Sequence, residues 1–78
     1  MISFRPFREL MTKRNITSYR LRNKCGPNNL DGKTLLRLMN DESVSTNTIN
    51  SICNIFKCDL TDVMEYFPDQ NTDGKDNP

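Results

Sequence analysis

Apolar residues recur at helical spacing in several stretches of the 78-residue chain. A first helix, ending near residues 14–15, is predicted by the i, i+3, i+4 pattern of Phe7, Leu10 and Met11. A fourth is predicted by an i, i+3, i+4, i+7 pattern: Ile49, Ile52, Cys53 and Phe56. A fifth is predicted by the apolar stripe of Leu60, Val63, Met64 and Phe67. Asp59 would cap this fifth helix with help from Asp62, and Pro68 would end it.

A second helix is predicted over residues 17–25. Thr17 is a good N-cap because its hydroxyl can accept from free N–H groups in the first turn. Leu21 and Cys25 lie four residues apart, so they share one face and can point into a core. The run Gly-Pro-Asn-Asn at 26–29 should end this helix, since Gly favours a left-handed cap and Asn tolerates turn geometry.

A third helix is predicted over residues 31–40. Asp31 is its expected N-cap, and Leu35 and Leu38 form its buried stripe. The opposite face is polar and cationic for most of its length; its residues are Gly32, Lys33, Leu36, Arg37 and Asn40. A short helix with a cationic outer face, placed after a turn, is suited to insertion into a DNA major groove.

Residues 4–67 resemble the lambda-repressor-like helix-turn-helix family, also called the Cro/CI or XRE type. The resemblance rests on spacing along the chain. It is carried by Leu10 and Ile16, Thr17-Ser18, Leu21, Cys25-Gly26, Thr34-Leu35-x-x-Leu38-x-Asn40, Val44-Ser45-x-x-Thr48-Ile49 and the stretch from Cys58 to Tyr66. It implies a compact five-helix, all-α domain over residues 1–68 that binds double-stranded DNA as a repressor-like transcriptional regulator, probing the major groove with helix three.

The resemblance also implies which residues meet DNA. Those expected at base edges are Gly32, Lys33, Leu36 and Arg37, where the two cations can donate to guanine and Leu36 can meet a thymine methyl. Those expected at phosphates are Thr17, Ser18, Arg20 and Asn40.

Two features depart from the family pattern. Residues 27–29 are an insertion in what is usually a tight turn, and Arg22 stands where the family has a small residue. We expect the longer turn to let the two helices separate enough to admit the arginine stem.

The net charge of +1 conceals a division between the halves of the chain. Residues 1–40 carry nine basic residues against two acids, a net +7, and residues 41–78 carry two against eight, a net −6. Because the basic half coincides with the predicted helix-turn-helix, the asymmetry favours an anionic partner over a merely solvated surface.

Other kinds of chemistry have few residues to support them. There is no His and only three irregularly spaced cysteines, so neither a general base nor a zinc site is expected, and we predict a non-enzymatic protein without cofactor or metal. No stretch is apolar enough for a membrane span or a signal peptide, which predicts a cytoplasmic protein. Residues 69–78 lack apolar side chains and are predicted to be disordered.

Two questions stay open at this point. Met64, Tyr66 and Phe67, at the end of the predicted fifth helix, either form a homodimer surface or close the core. The function is either DNA-binding regulation or, on the same fold, protein interaction of an antitoxin-like or anti-repressor kind. A short pairing of residues 2–4 with residues 66–67 is also conceivable.

Overall fold

The computed structural model describes residues 1–69. Within them, four α-helices lie between two short strands. The elements are β1 (Ile2–Ser3), α1 (Arg5–Lys13), α2 (Ser18–Asn23), α3 (Gly32–Met39), α4 (Thr46–Phe56) and β2 (Glu65–Tyr66). Single 3-10 turns occur at Gly26–Asn28 and Leu60–Asp62. The predicted disordered tail lies outside the described residues except for Asp69.

Three helix starts are fixed by the side chain of the residue directly before the helix, and two of these caps, Thr17 and Asp31, are predicted above. The Thr17 hydroxyl accepts from the Arg20 N–H at 3.2 Å to begin α2. The starts of α3 and α4 are capped in the same way, by Asp31 on the Thr34 N–H at 2.7 Å and by Ser45 on the Thr48 N–H at 3.2 Å. Each cap gives an otherwise free N–H a partner, so these helix starts are determined locally.

The inserted residues after α2 form a compact turn. Gly26 adopts a φ of +58°, in the left-handed region that favours glycine. The Cys25 N–H donates to the Asn29 side chain at 2.7 Å, which ends α2 before the predicted residue 25. The Leu30 N–H then donates to the Leu21 carbonyl at 2.9 Å, so the chain returns to α2 before α3 begins. The turn itself packs against α4, where Asn54 meets Asn28.

One hydrophobic core joins all four helices. Phe7 of α1 and Phe56 of α4 meet edge to face, with ring centroids 6.0 Å apart and an interplanar angle of 85°. The buried apolar residues are Phe4, Phe7, Leu21, Leu30, Leu35, Leu38, Ile49, Ile52, Phe56 and Val63. The predicted core positions of α3 and α4 are therefore correct, except that Cys53 is only partly buried.

The predicted fifth helix is wrong. In its place stand the 3-10 turn Leu60–Asp62 and the strand β2. Longer-range contacts use the backbone groups that a helix would need: the Val63 carbonyl accepts from the Phe7 N–H at 3.1 Å, and the Phe67 N–H donates to the Met1 carbonyl at 2.8 Å. Of the predicted apolar stripe only Val63 is fully buried, whereas Leu60 is 58% exposed. Asp62 still accepts from the Asp59 N–H at 3.2 Å, as predicted for the cap.

The two strands form a minor antiparallel pair at the chain ends. Ile2 lies opposite Tyr66, and Ser3 lies opposite Glu65. This is the pairing that the sequence suggested, with β2 beginning one residue earlier than expected. Met64, Tyr66 and Phe67 thus lie on and around a strand, not on a helix as predicted.

Candidate nucleic-acid interface

The outer face of α3 collects the four predicted base-contacting residues. Gly32, Lys33, Leu36 and Arg37 are all exposed, while Leu35 and Leu38 on the opposite side are buried. Leu36 is 62% exposed, so it is not a core residue. Leu36 therefore lies on the surface of α3 between Lys33 and Arg37.

The start of α3 is held by a charged cap. Asp31 accepts from the Thr34 N–H, and this hydrogen bond is the main reason why the pKa of the Asp31 carboxyl lies below its usual value. The positive charges of Arg37 and Lys33 lower that pKa further. The carboxylate therefore remains ionised near neutral pH and keeps the first turn of α3 fixed.

Arg22 lies where α2 meets the start of α3. Its guanidinium carbon and Nε are 3.8 Å from the point where Gly32 would carry a Cβ. Arg22 is exposed and extends over the first turn of α3, so the arginine stem is not buried between the helices. The sequence shows that Arg22 is unusual, but it does not predict that the guanidinium lies beside Gly32.

The predicted phosphate contacts lie at the ends of the two helices. Ser18 and Arg20 are exposed on α2, whereas the Thr17 hydroxyl already serves as its cap. The Asn40 amide, just after α3, donates to the Leu36 carbonyl at 3.0 Å and retains its oxygen and second N–H. Tyr19, 64% exposed beside Ser18, is a further candidate that sequence reasoning missed; it falls outside the core spacing of α2 and carries a phenol that can donate to phosphate.

The far end of α3 contains a different kind of cation. The Arg8 Nη1 donates to the Asp41 carboxylate and to the Leu38 carbonyl, both at 2.8 Å. Asp41 also accepts from the Phe4 N–H at 2.7 Å, and these two donors, Arg8 first, hold the pKa of the Asp41 carboxyl below its usual value. Arg8 thus links α1 to the end of α3 and stabilises the fold.

Two more basic residues of the first half have structural partners. Arg5 donates to both carboxylate oxygens of Glu65, at 2.9 and 3.2 Å. Arg14 donates to the Phe56 carbonyl at the end of α4, and its guanidinium lies 5.6 Å from the centre of the Phe56 ring. Arg14 is therefore held against Phe56 of the core.

Besides Arg14, six basic residues of the first half have no acidic partner within residues 1–69. In residues 1–69, no carboxylate lies within 4 Å of their cationic groups; they are Lys13, Arg20, Arg22, Lys24, Lys33 and Arg37. Five of the six lie on α2, on α3 or directly after α2. The unpaired positive charge is therefore concentrated on the helix-turn-helix.

Other features of the described chain add little chemistry. No helix within residues 1–69 has the length and apolar character needed to cross a membrane. The same residues contain no group of three or more His, Cys, Asp or Glu side chains arranged to hold a metal ion.

Comparison with known proteins gives the class of the domain. Residues 7–69 match the family of Cro/C1-type helix-turn-helix DNA-binding domains, and the chain belongs to this family. The fold is also similar to that of the crystal structure of the transcriptional regulator VanUg, with a TM-score of 0.74, 26% sequence identity and coverage of 87% of each chain. No curated protein matches the sequence. The predicted family is therefore confirmed, and the assignment points to a DNA-binding, non-enzymatic protein.

Proposed function

We propose that this protein is a transcriptional regulator that binds specific sequences of double-stranded DNA by placing α3 in the major groove. One observation carries the proposal: the outer face of α3 is exposed and holds Lys33 and Arg37 without a carboxylate within 4 Å in residues 1–69. Leaving cations unpaired on a rigid, capped helix is favourable where an anionic partner binds.

The spacing on α3 suits base contacts. Lys33 and Arg37 are four residues apart, about 6 Å along the helix axis, so both can reach neighbouring base pairs from one face. Each can donate to guanine O6 and N7, and Leu36 between them offers an apolar surface to a thymine methyl. Gly32 allows close backbone approach at the helix start.

The ends of the helices suit the DNA backbone. Ser18 at the first position of α2 and Asn40 after α3 present donors, and Arg20 adds a charge. Thr17 can donate its hydroxyl proton to a phosphate while its oxygen accepts from the Arg20 N–H. Contacts with phosphates fix the orientation of α3 on DNA but do not discriminate between DNA sequences.

A second copy of the chain is proposed to complete the binding unit, because a single helix-turn-helix covers only a half-site. The surface proposed for this contact is formed by Met64, Tyr66 and Phe67. Tyr66 is 68% exposed and Phe67 39% exposed, so these two aromatic residues do not simply close the core. Sedimentation velocity of the protein and of Tyr66→Ser tests the surface: a wild-type dimer that dissociates in the variant is expected, and a wild-type monomer at all concentrations would exclude it.

A protein-interaction module on the same fold is the second candidate. It is favoured by exposed apolar residues outside the helix-turn-helix, among them Leu60 and Tyr66, and by the acidic second half of the chain. A heparin column with a salt gradient separates the two functions. Elution at high salt is expected from a concentrated cationic surface, and elution at low salt would favour the protein partner.

The decisive test is selection of DNA fragments on the purified protein, followed by a salt titration on the selected site. Lys33→Ala and Arg37→Ala should each reduce discrimination at one base pair by about 5- to 150-fold, the value of a good base contact. Lys13→Ala is the control, because Lys13 is exposed, unpaired within residues 1–69 and outside the helix-turn-helix.

Three outcomes have different consequences. A recurring sequence whose affinity falls steeply with salt, together with loss of preference in the α3 variants alone, supports the proposal. Equal loss in Lys13→Ala would mean non-specific attraction. Selection without any enriched sequence would overturn sequence-specific binding.

A further inference from the structure

Arg22, which departs from the family pattern, contacts Gly32 at the start of α3. Gly32, the first residue of α3, is one of the predicted base-contacting positions but carries no side chain. Apart from the neighbouring residues in the chain and the backbone of α3, the heavy atoms nearest to its missing Cβ all belong to one guanidinium: Cζ and Nε of Arg22 at 3.8 Å and a terminal nitrogen at 4.0 Å. Arg22 therefore occupies the space next to the place from which a side chain at position 32 would extend.

The start of α3 repels the Arg22 charge only weakly, because the exposed guanidinium is solvated. The start of a helix carries partial positive charge, and a cation there is destabilised by the helix dipole. Lys33 adds a second positive charge in the same turn, and the Asp31 carboxylate is engaged as the cap. No carboxylate in residues 1–69 lies within 4 Å of the Arg22 guanidinium.

We propose that Arg22 supplies from α2 the base-contacting group that Gly32 lacks, and that its guanidinium donates to the O6 and N7 of a guanine beside the start of α3. This inference rests on the proposed function. It adds a residue of α2 to the set that determines specificity and gives a reason for the pairing of a large residue at 22 with glycine at 32.

The chemistry of the guanidinium suits this assignment. It is planar, always charged and has only donors, so it matches the two acceptors of a guanine edge in a single plane. Contact with α3 limits the freedom of the long side chain before DNA arrives, which lowers the entropic cost of making the contact. Lysine would keep the charge but lose the two-pronged geometry.

The experiment compares the wild-type protein with Arg22→Lys and Arg22→Ala by binding-site selection and salt titration, after circular dichroism has shown each variant to be folded. A guanine contact predicts that Arg22→Ala loses preference at one base pair by about 5- to 150-fold and keeps its preferences elsewhere. Arg22→Lys should lose part of the preference at the same base pair, because it keeps a donor but not the two-pronged geometry. Lys13→Ala, with the same loss of charge away from α3, should keep the wild-type preferences at every base pair.

The possible results separate the inference from the function on which it rests. If the wild-type protein selects a sequence and both Arg22 variants select the same one with equal stringency, the inference is overturned and the function stands. Equal loss of affinity on all sequences in Arg22→Ala, restored in Arg22→Lys, would indicate a phosphate contact and also overturn it. If the wild-type protein selects no sequence, both fail.

Discussion

The basic side chains at the two ends of α3 differ in whether they have hydrogen-bonded partners. At its start, Arg22 and Lys33 lie exposed with no carboxylate within 4 Å in residues 1–69. At its end, Arg8 is bonded to Asp41 and to the Leu38 carbonyl, both at 2.8 Å. The partners of these cations show which of them stabilise the fold and which are available to a ligand. Arg37, exposed in the last turn of α3, belongs with the available ones.

The difference follows from the solvent exposure of the side chains at each end of α3. The Asp41 and Arg8 side chains are 25% and 29% exposed, and their charges are satisfied by several hydrogen bonds, which a partly buried pair requires. The start of α3 remains solvated, so its cations cost little to leave unpaired. A comparison of variants at the two ends should therefore separate stability from DNA binding.

The largest expected effect is on stability, from Asp41→Ala. It removes the acceptor for Arg8 and for the Phe4 N–H, and it places alanine at a φ of +57°, a left-handed conformation that is strained for a residue with a Cβ. A loss of roughly 3 kcal/mol in the free energy of unfolding is expected, measured by urea denaturation.

Glu42→Ala is the matched control, since Glu42 is exposed and its side chain makes no ion pair in residues 1–69. It should change stability by less than about 0.5 kcal/mol. If Asp41→Ala is too unstable to fold, Asp41→Gly removes the same hydrogen bonds without the strain at positive φ and should lose less. Equal stability of Asp41→Ala and Glu42→Ala would show that the network at the end of α3 contributes nothing.

A smaller effect is expected from pH. Because Arg8 and the Phe4 N–H lower the pKa of Asp41 in the folded protein, its ionised form stabilises the fold above the unfolded pKa of about 4, and this contribution is lost as pH falls through the lower folded value. Asp41→Asn keeps an acceptor oxygen and tolerates the positive φ, so it isolates the charge.

The difference in unfolding free energy between the wild type and Asp41→Asn should therefore be constant near neutral pH and shrink in acid below about pH 4. Chemical denaturation at a series of pH values measures it. A difference that stays constant into strong acid would mean that the carboxylate is not engaged in the folded state.

How much of this arrangement the sequence predicts depends on the range of each interaction. The caps Thr17, Asp31 and Ser45 are predictable because each bonds an N–H three residues away. The fifth helix is mispredicted because strand pairing with the N-terminus, more than sixty residues away, decides the conformation of residues 65–66.

The candidate site divides in the same way. The outer face of α3 follows from helical periodicity, so its exposed residues were predictable. The partners of Arg14 and Arg22 depend on how two helices cross, and the sequence does not determine them. The number of basic residues in the first half therefore overestimates the charge available to DNA, because Arg5, Arg8 and Arg14 make contacts within the fold.

The smallest effect on DNA binding is expected from Arg5→Ala. The Arg5 side chain is 57% exposed, yet its guanidinium donates to both oxygens of Glu65, so its charge is largely cancelled locally. At 0.15 M salt, fields beyond about 8 Å are screened, and a neutralised pair releases no counterion when DNA binds. Affinity for the selected site should change by less than about twofold, with an unchanged salt slope, whereas Lys33→Ala loses base preference.

Fluorescence anisotropy at several salt concentrations measures both the affinity and the salt slope of Arg5→Ala. A fall in affinity and salt slope in Arg5→Ala would mean that DNA also contacts the strand end of the domain, and that pairing with an acid does not distinguish structural cations from binding ones.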